Sequence, residues 1–213
     1  MENLKKDKIG IYKYSSCNTS SIINALDMIK AEYFLSDKFS EIGKFSKIIL
    51  PGVGNMKNIP QDYLKKMKIN INQYIQKGGI VFGICLGLQI LFDKSMESNT
   101  ETLGIINGKV LPVEDDYKIA LNVGFHKIEP SENLKKNNYF SKLFSKIDLN
   151  DRLYFLHKYY CNPIDKNISQ LSIKINNKSM PIAFQKENLI GTQFHPELSK
   201  EPGLQILKNF IQI

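Results

Sequence analysis

The stretch Ile80-Val81-Phe82-Gly83-Ile84-Cys85-Leu86-Gly87-Leu88-Gln89-Ile90-Leu91-Phe92 constrains this chain more than any other. Ile80 to Phe82 are β-branched or aromatic and follow the turn pair Gly78-Gly79, so they predict the end of a buried strand. Leu88, Leu91 and Phe92 recur at helical spacing and predict a helix directly afterwards. A strand that becomes a helix in so few residues has to bend sharply, and Gly83 and Gly87 remove Cβ atoms where backbone and helix come close. Cys85 falls at the tip, with its thiol at a helix N-terminus where the dipole and free N–H groups favour the thiolate. A small buried hydrophobe behind a core strand is the plainer reading of the same cysteine, and these residues alone leave both open.

The same strand-to-helix order runs through the first ninety or so residues. Ile9 to Tyr12 predicts a strand and Lys13 to Asn18 the loop beyond it, with Asn18 or Ser20 capping a helix that carries Ile22, Ile23, Ala25, Leu26 and Ile29. Tyr33 to Leu35 and Lys47 to Leu50 are further strands, the latter stopping at Pro51-Gly52-Val53-Gly54. Gln61 to Gln76 is an amphipathic helix with Leu64, Met67, Ile71 and Ile75 as its apolar stripe. This alternation predicts an α/β fold, a mostly parallel doubly wound sheet with flanking helices. Ligands bind such sheets beyond the carboxyl ends of the strands, where Asn18, Gly52 to Gly54 and Cys85 fall.

After Glu97 the texture changes. Asn107-Gly108 predicts a turn, and strand-like runs at 122–128, 153–160, 171–175, 181–184 and 189–194 predict an antiparallel extension or a second set of strands in the same domain. Pro130 to Asn150 is expected to be a loop with one short helix, and Leu204, Ile206, Leu207, Phe210 and Ile211 a closing helix. With 213 residues the chain can bury one sizeable core, and 1–213 is read as a single domain.

Several function classes are excluded at this level. No apolar run approaches the roughly 20 residues of a membrane span, and Met1 to Lys8 leads into a strand rather than a secretory core, so a cytoplasmic protein is expected. Cys17, Cys85 and Cys161 are odd in number and widely spaced; with His126, His157 and His195 they form no metal-ligand spacing, so no metal and no cofactor are expected. The net charge of +8 is carried by scattered lysines, with Arg152 the only arginine, so no nucleic-acid partner is expected.

A cysteine nucleophile needs a base and a group that orients the base. Gln193-Phe194-His195-Pro196-Glu197 supplies both: two residues apart on extended chain, His195 and Glu197 point the same way. The alternative is a His-Pro-Glu turn that merely ends a surface strand. His157, among aromatic residues, is expected to be a packed, hydrogen-bonded histidine, and His126 is expected to have no catalytic part. For an oxyanion, the N–H groups of Leu86 and of Val53, flanked by Gly52 and Gly54, are the candidate donors.

Four segments together carry a resemblance: Pro51-Gly52-Val53-Gly54, Gly83-Ile84-Cys85-Leu86-Gly87-Leu88-Gln89, Tyr154-Phe155-Leu156-His157 and Gly191-Thr192-Gln193-Phe194-His195-Pro196-Glu197. Their order, and the Cys–distant His-Pro-Glu pairing, resemble the class I (triad-type) glutamine amidotransferases over essentially the whole chain. Within these they are most similar to the glutaminase subunits of imidazole glycerol phosphate synthase. The resemblance implies Cys85 as nucleophile, His195 as acid/base and Glu197 as its orienting carboxylate. It also implies glutamine held by the Gly52 backbone, Gln89, Glu97 and the backbone around Lys158 and Tyr159. As partner it implies a (β/α)₈ synthase subunit in a heterodimer of histidine biosynthesis, receiving ammonia through a channel. Leu121-Asn122-Val123-Gly124-Phe125-His126, Ser15-Ser16-Cys17-Asn18 and Leu198 depart from the family's usual residues. Two alternatives stand beside this: a paralogous glutaminase that feeds amidation of a bacterial surface sugar, and a non-catalytic regulatory subunit.

Overall fold

The computed structural model describes residues 5–14, 17–97, 99–134, 138–148 and 150–213. The expectations for residues 1–4, for Ser15 and Ser16, and for part of the 130–150 loop lie outside the described residues. The first half alternates as the sequence predicts: β1 (Lys5–Tyr12), α1 (Ser20–Met28), β2 (Tyr33–Ser36), α2 (Phe39–Ile42), β3 (Phe45–Leu50), α3 (Gln61–Gln76) and β4 (Ile80–Ile84). Then come α4 (Leu86–Gln89), β5 (Phe92–Ser95), β6 (Thr100–Glu101), β7 (Ile106–Pro112), α5 (Val113–Tyr117), β8 (Asn122–Lys127) and β9 (Glu129–Pro130). The chain ends with α6 (Tyr139–Leu143), β10 (Arg152–His157), β11 (Tyr159–Pro163), β12 (Ser169–Ile175), β13 (Lys178–Lys186), β14 (Leu189–Thr192) and α7 (Lys200–Gln212).

The large sheet has the order β2-β1-β3-β4-β14-β13-β12-β9. Its first five strands are parallel, and β13, β12 and β9 continue it antiparallel. Both faces are covered, which is why β3 and β4 read as unbroken apolar runs. Ile48 and Leu50 pack with Leu64, Met67 and Ile71 of α3 on one face. On the other, Ile49 and Phe82 pack with Ile22 and Leu26 of α1 and Leu207 and Phe210 of α7. The N-cap of α1 is Thr19 rather than Asn18 or Ser20 and makes no side-chain capping bond; Asn18, the residue before it, accepts the Ser20 N–H on its side chain at 2.9 Å. The insertion of β14 beside β4, with Thr192 opposite Ile84, positions the site, because it brings His195 and Glu197 from the far end of the chain to Cys85.

Three further expectations need correction. The helix after Cys85 is a single turn, and β5 begins at Phe92. Leu88, Leu91 and Phe92 are all fully buried, so their spacing marks burial on every side rather than one helix face. Asn107-Gly108 is no turn: it lies inside β7, where Gly108 at φ 147° sits at a register shift against β5 and donates to Asp93 at 2.7 Å. The run 153–160 is split at Lys158, whose carbonyl accepts the Val113 N–H at 2.9 Å. In the last turn of α3 the partly buried Ile75 packs on the apolar side as expected, and Tyr74 is buried beside it, its hydroxyl donating to Phe45 O at 2.8 Å. Both expected forms occur: β13-β12-β9 extends the large sheet antiparallel, while β10-β8 makes an antiparallel ribbon and β11-β7-β5-β6 a second sheet in which β5 and β7 run parallel. Among the described residues no helix is long and apolar enough to cross a membrane.

Candidate active site

Cys85 sits at the bend between β4 and α4 with φ 47° and ψ −105°, a conformation that costs a non-glycine residue about 1–3 kcal/mol. The surroundings hold it there. Its N–H donates to Thr192 O at 2.7 Å and its carbonyl takes the Gln89 N–H at 2.9 Å. Two glycines allow the backbones to cross: a Cβ on Gly87 would lie 2.0 Å from Leu50 O, and one on Gly52 would lie 1.8 Å from Ile84 O. Because α4 has only four residues, its dipole is a weak source of charge stabilisation, and the expected helix N-terminus gives way to a side-chain partner.

That partner is His195. Beyond β14 its N–H donates to Tyr154 O at 2.9 Å, while its carbonyl accepts from Ser199 Oγ at 2.6 Å, and Ser199 Oγ in turn accepts the Tyr154 N–H at 2.9 Å. The backbone of His195 is thereby fixed to β10. Pro196–Leu198 forms a 3-10 turn rather than the extended chain expected, and this turn brings Glu197 Oε1 to 2.8 Å from His195 Nδ1. Both side chains are buried, and His195 lines the same cavity as Cys85, close enough for the sulfur to act on the charge of the ring. Burial opposes the imidazolium, but the Cys85 sulfur and the Glu197 carboxylate outweigh it and hold His195 protonated well above the ordinary histidine range.

A cavity of about 270 Å³ opens over the sulfur. Gly52, Val53, Leu86, Gln89, Glu97, Lys158, Tyr159, Cys85 and His195 all line it, and Glu197 stands behind His195. A larger depression of about 350 Å³ beside α7 has no cysteine or histidine in its wall. One Glu97 oxygen accepts the Met56 N–H at 3.0 Å. The carbonyls of Lys158 and Tyr159 are already engaged, the first by Val113 and the second by Gln89 and His157. Among the described residues no cluster of three metal-ligating side chains occurs.

The oxyanion donors are not arranged as expected. The Leu86 N–H donates to Gly52 O at 3.4 Å, so the planar trans peptide turns the Val53 N–H away from the site. The segment is held in this state on both sides, by Tyr14 Oη donating to Pro51 O at 2.6 Å and by the Asn18 N–H donating to Val53 O at 2.7 Å.

Two features escaped the sequence. His157 is buried as expected but lines the cavity, donating from Nδ1 to Tyr159 O at 2.8 Å and accepting from Asn122 Nδ2 at 2.8 Å. Burial drives its pKa down to about 3. Gln193, fully buried, reaches the Cys85 sulfur at 3.5 Å. Its place two residues before His195, on the same side of an extended chain, was the signal that could have found it.

Comparison with known proteins gives the lineage. The glutamine amidotransferase class-I family profile matches residues 15–213. The imidazole glycerol phosphate synthase subunit HisH of Trichodesmium erythraeum is 34% identical over 207 residues, which cover 95% of this chain and 93% of that protein. The HisH subunit of Caldanaerobacter subterraneus subsp. tengcongensis is 36% identical over 204 residues, covering 95% and 96%. Among solved structures, a chain of PurLQS from Thermotoga maritima superimposes with a TM-score of 0.72 at 20% identity, covering 97% of this chain and 98% of that one, a likeness of fold. The chain therefore belongs to the class-I glutamine amidotransferases, among the relatives of the imidazole glycerol phosphate synthase subunit HisH.

Proposed function

We propose that this protein is the glutaminase subunit of an imidazole glycerol phosphate synthase, with Cys85, His195 and Glu197 as its catalytic triad. The observation that carries the reading is the meeting of a strained, cavity-lining cysteine with a buried His195–Glu197 pair from the far end of the chain. Glu197 fixes Nδ1 of the ring, which leaves Nε2 for the sulfur.

In the reaction the Cys85 thiolate attacks the side-chain amide carbon of glutamine, and the carbonyl π pair moves to oxygen. His195 gives its proton to the amide nitrogen, the C–N bond breaks and ammonia leaves. Water then adds to the thioester while His195 takes its proton, and the C–S bond breaks to release glutamate. The developing oxyanion calls for two N–H donors. Rotation of the Gly52–Val53 peptide frees the Leu86 N–H and turns the Val53 N–H inward, and the glycines at 52 and 54 ease that rotation. Gln89 and Glu97, in the same wall, are the side chains for the amino-acid end of glutamine, Glu97 through charge pairing with the ammonium.

Ammonia released to water becomes non-nucleophilic ammonium, so a receiving subunit is part of this reading. Exposed Leu121 and Leu156 line the cavity, exposed Val123 pairs with Leu156 across the β8–β10 ribbon, and exposed Phe125 and Leu198 lie further along that ribbon and on the turn after His195. They are the face for a (β/α)₈ synthase subunit. The names of the relatives favour this acceptor over a surface sugar. The test is glutamate release by the chain alone and with a barrel subunit, together with deletion of its gene. Strong stimulation by the barrel and histidine auxotrophy are expected. Growth without histidine, with loss of an amidated surface sugar, would overturn the pathway.

A further inference from the structure

Beside the triad, a line of buried amides ends on the reacting sulfur, and its polarity is fixed by one group. The Tyr159 carbonyl can only accept. It takes Gln89 Nε2 at 3.0 Å, and the same nitrogen lies 3.3 Å from Gln193 Oε1. Gln89 must therefore present its NH₂ to both, Gln193 must present its oxygen to Gln89, and the Gln193 NH₂ is left facing Cys85 Sγ at 3.5 Å. Gln193 has no other orientation that keeps these bonds. Its backbone is equally fixed, the N–H donating to Ile182 O at 2.7 Å.

We propose that Gln193 is a further catalytic residue: its side-chain N–H donates to the Cys85 sulfur, favours the charged nucleophile before attack, and receives the sulfur back when the thioester is hydrolysed. A donor facing sulfur stabilises a thiolate more than a thiol, because a hydrogen bond to the charged form is the stronger one. In the second half-reaction the C–O bond forms from water, the water proton goes to His195, and the electron pair of the breaking C–S bond returns to sulfur. At that moment the sulfur has two donors, the imidazolium and the Gln193 amide. A neutral donor adds to the thiolate's stability without competing with His195 for the proton.

This rests on Cys85 being the nucleophile, and the experiment separates the two claims. Alkylation of the full-length chain by iodoacetamide is followed against pH, with the Cys85 peptide quantified by mass spectrometry. Gln193→Met keeps the volume but has no N–H, whereas Gln193→Glu keeps an oxygen for Gln89 and turns a second oxygen to the sulfur. Loss of the donor is expected to cut the thiolate fraction about tenfold below the midpoint, raising the midpoint by about one pH unit in Gln193→Met. A larger rise is expected in Gln193→Glu, and if Gln193→Met does not fold, Gln193→Glu alone decides. Unchanged midpoints, or a rise in Gln193→Met without one in Gln193→Glu, would overturn the role of Gln193 and leave Cys85 untouched. A Cys85 peptide that never labels would overturn both.

Discussion

Acid sensitivity should reside in His157, a residue with no part in the proton transfers. Its ring is buried and neutral, with Nδ1–H on the Tyr159 carbonyl and Nε2 accepting from Asn122. Burial lowers its pKa to about 3, against an ordinary value of about 6.5 in the unfolded chain. A folded-state pKa below the unfolded one means that the unfolded chain takes up the proton first. The contribution is therefore intact above about pH 6.5 and lost as pH falls towards 3. At about pH 5 the loss comes to about 2 kcal/mol, or roughly 4–8 °C in melting temperature for a chain of this size. His195 acts in the opposite direction, because its raised pKa stabilises the fold below the unfolded value and this is lost as pH rises. His157→Gln isolates the first effect, since its amide can donate to Tyr159 O and accept from Asn122 without ever charging. Melting curves at about pH 7.5 and about pH 5 should show that the wild type loses several degrees more than the variant. Equal losses in the two proteins would refute the reasoning.

Three further outcomes follow from the same geometry. Glu197→Gln should leave the fold intact and lower glutamine turnover by about 10²–10⁴-fold at neutral pH, because His195 loses the carboxylate that orients and charges it; steady-state kinetics with the partner checks this. Gly52→Ala places a Cβ 1.8 Å from Ile84 O, a backbone atom that cannot yield, so it should lower stability in denaturant melts by about 1–3 kcal/mol and abolish turnover. Tyr14→Phe leaves the Pro51 carbonyl without its buried donor, which should cost about 1–3 kcal/mol and raise glutamate release by the chain without a partner, as the segment before Val53 is freed to rotate.

The parallel half of the fold was legible because its strands are buried on both faces and alternate with an amphipathic helix, a pattern that few other architectures satisfy. Glycine spacing around Cys85 likewise revealed the bend, since a Cβ on Gly87 would lie 2.0 Å from Leu50 O and one on Gly83 would lie 2.7 Å from Gly87 O. Periodicity misled where burial was complete: Leu88, Leu91 and Phe92 face protein on every side, so helix and strand leave the same apolar run. Asn107-Gly108 carried the chemistry of a turn, but its neighbours in β5 and β11, distant in sequence, converted it to a strand irregularity. The candidate site was visible as types of residue, and the meeting of Cys85 and His195 depends on β14 lying next to β4, a pairing over a hundred residues that no local pattern encodes. Whether the Gly52 carbonyl or the Val53 N–H faces the sulfur is a single peptide rotation, and no residue identity distinguishes the two.

The most direct test is glutamate release from glutamine by the chain bound to its barrel partner, measured for the wild type and for Cys85→Ala. Turnover in the wild type and none above background in the variant is the predicted result. Undiminished turnover without the Cys85 sulfur would contradict it.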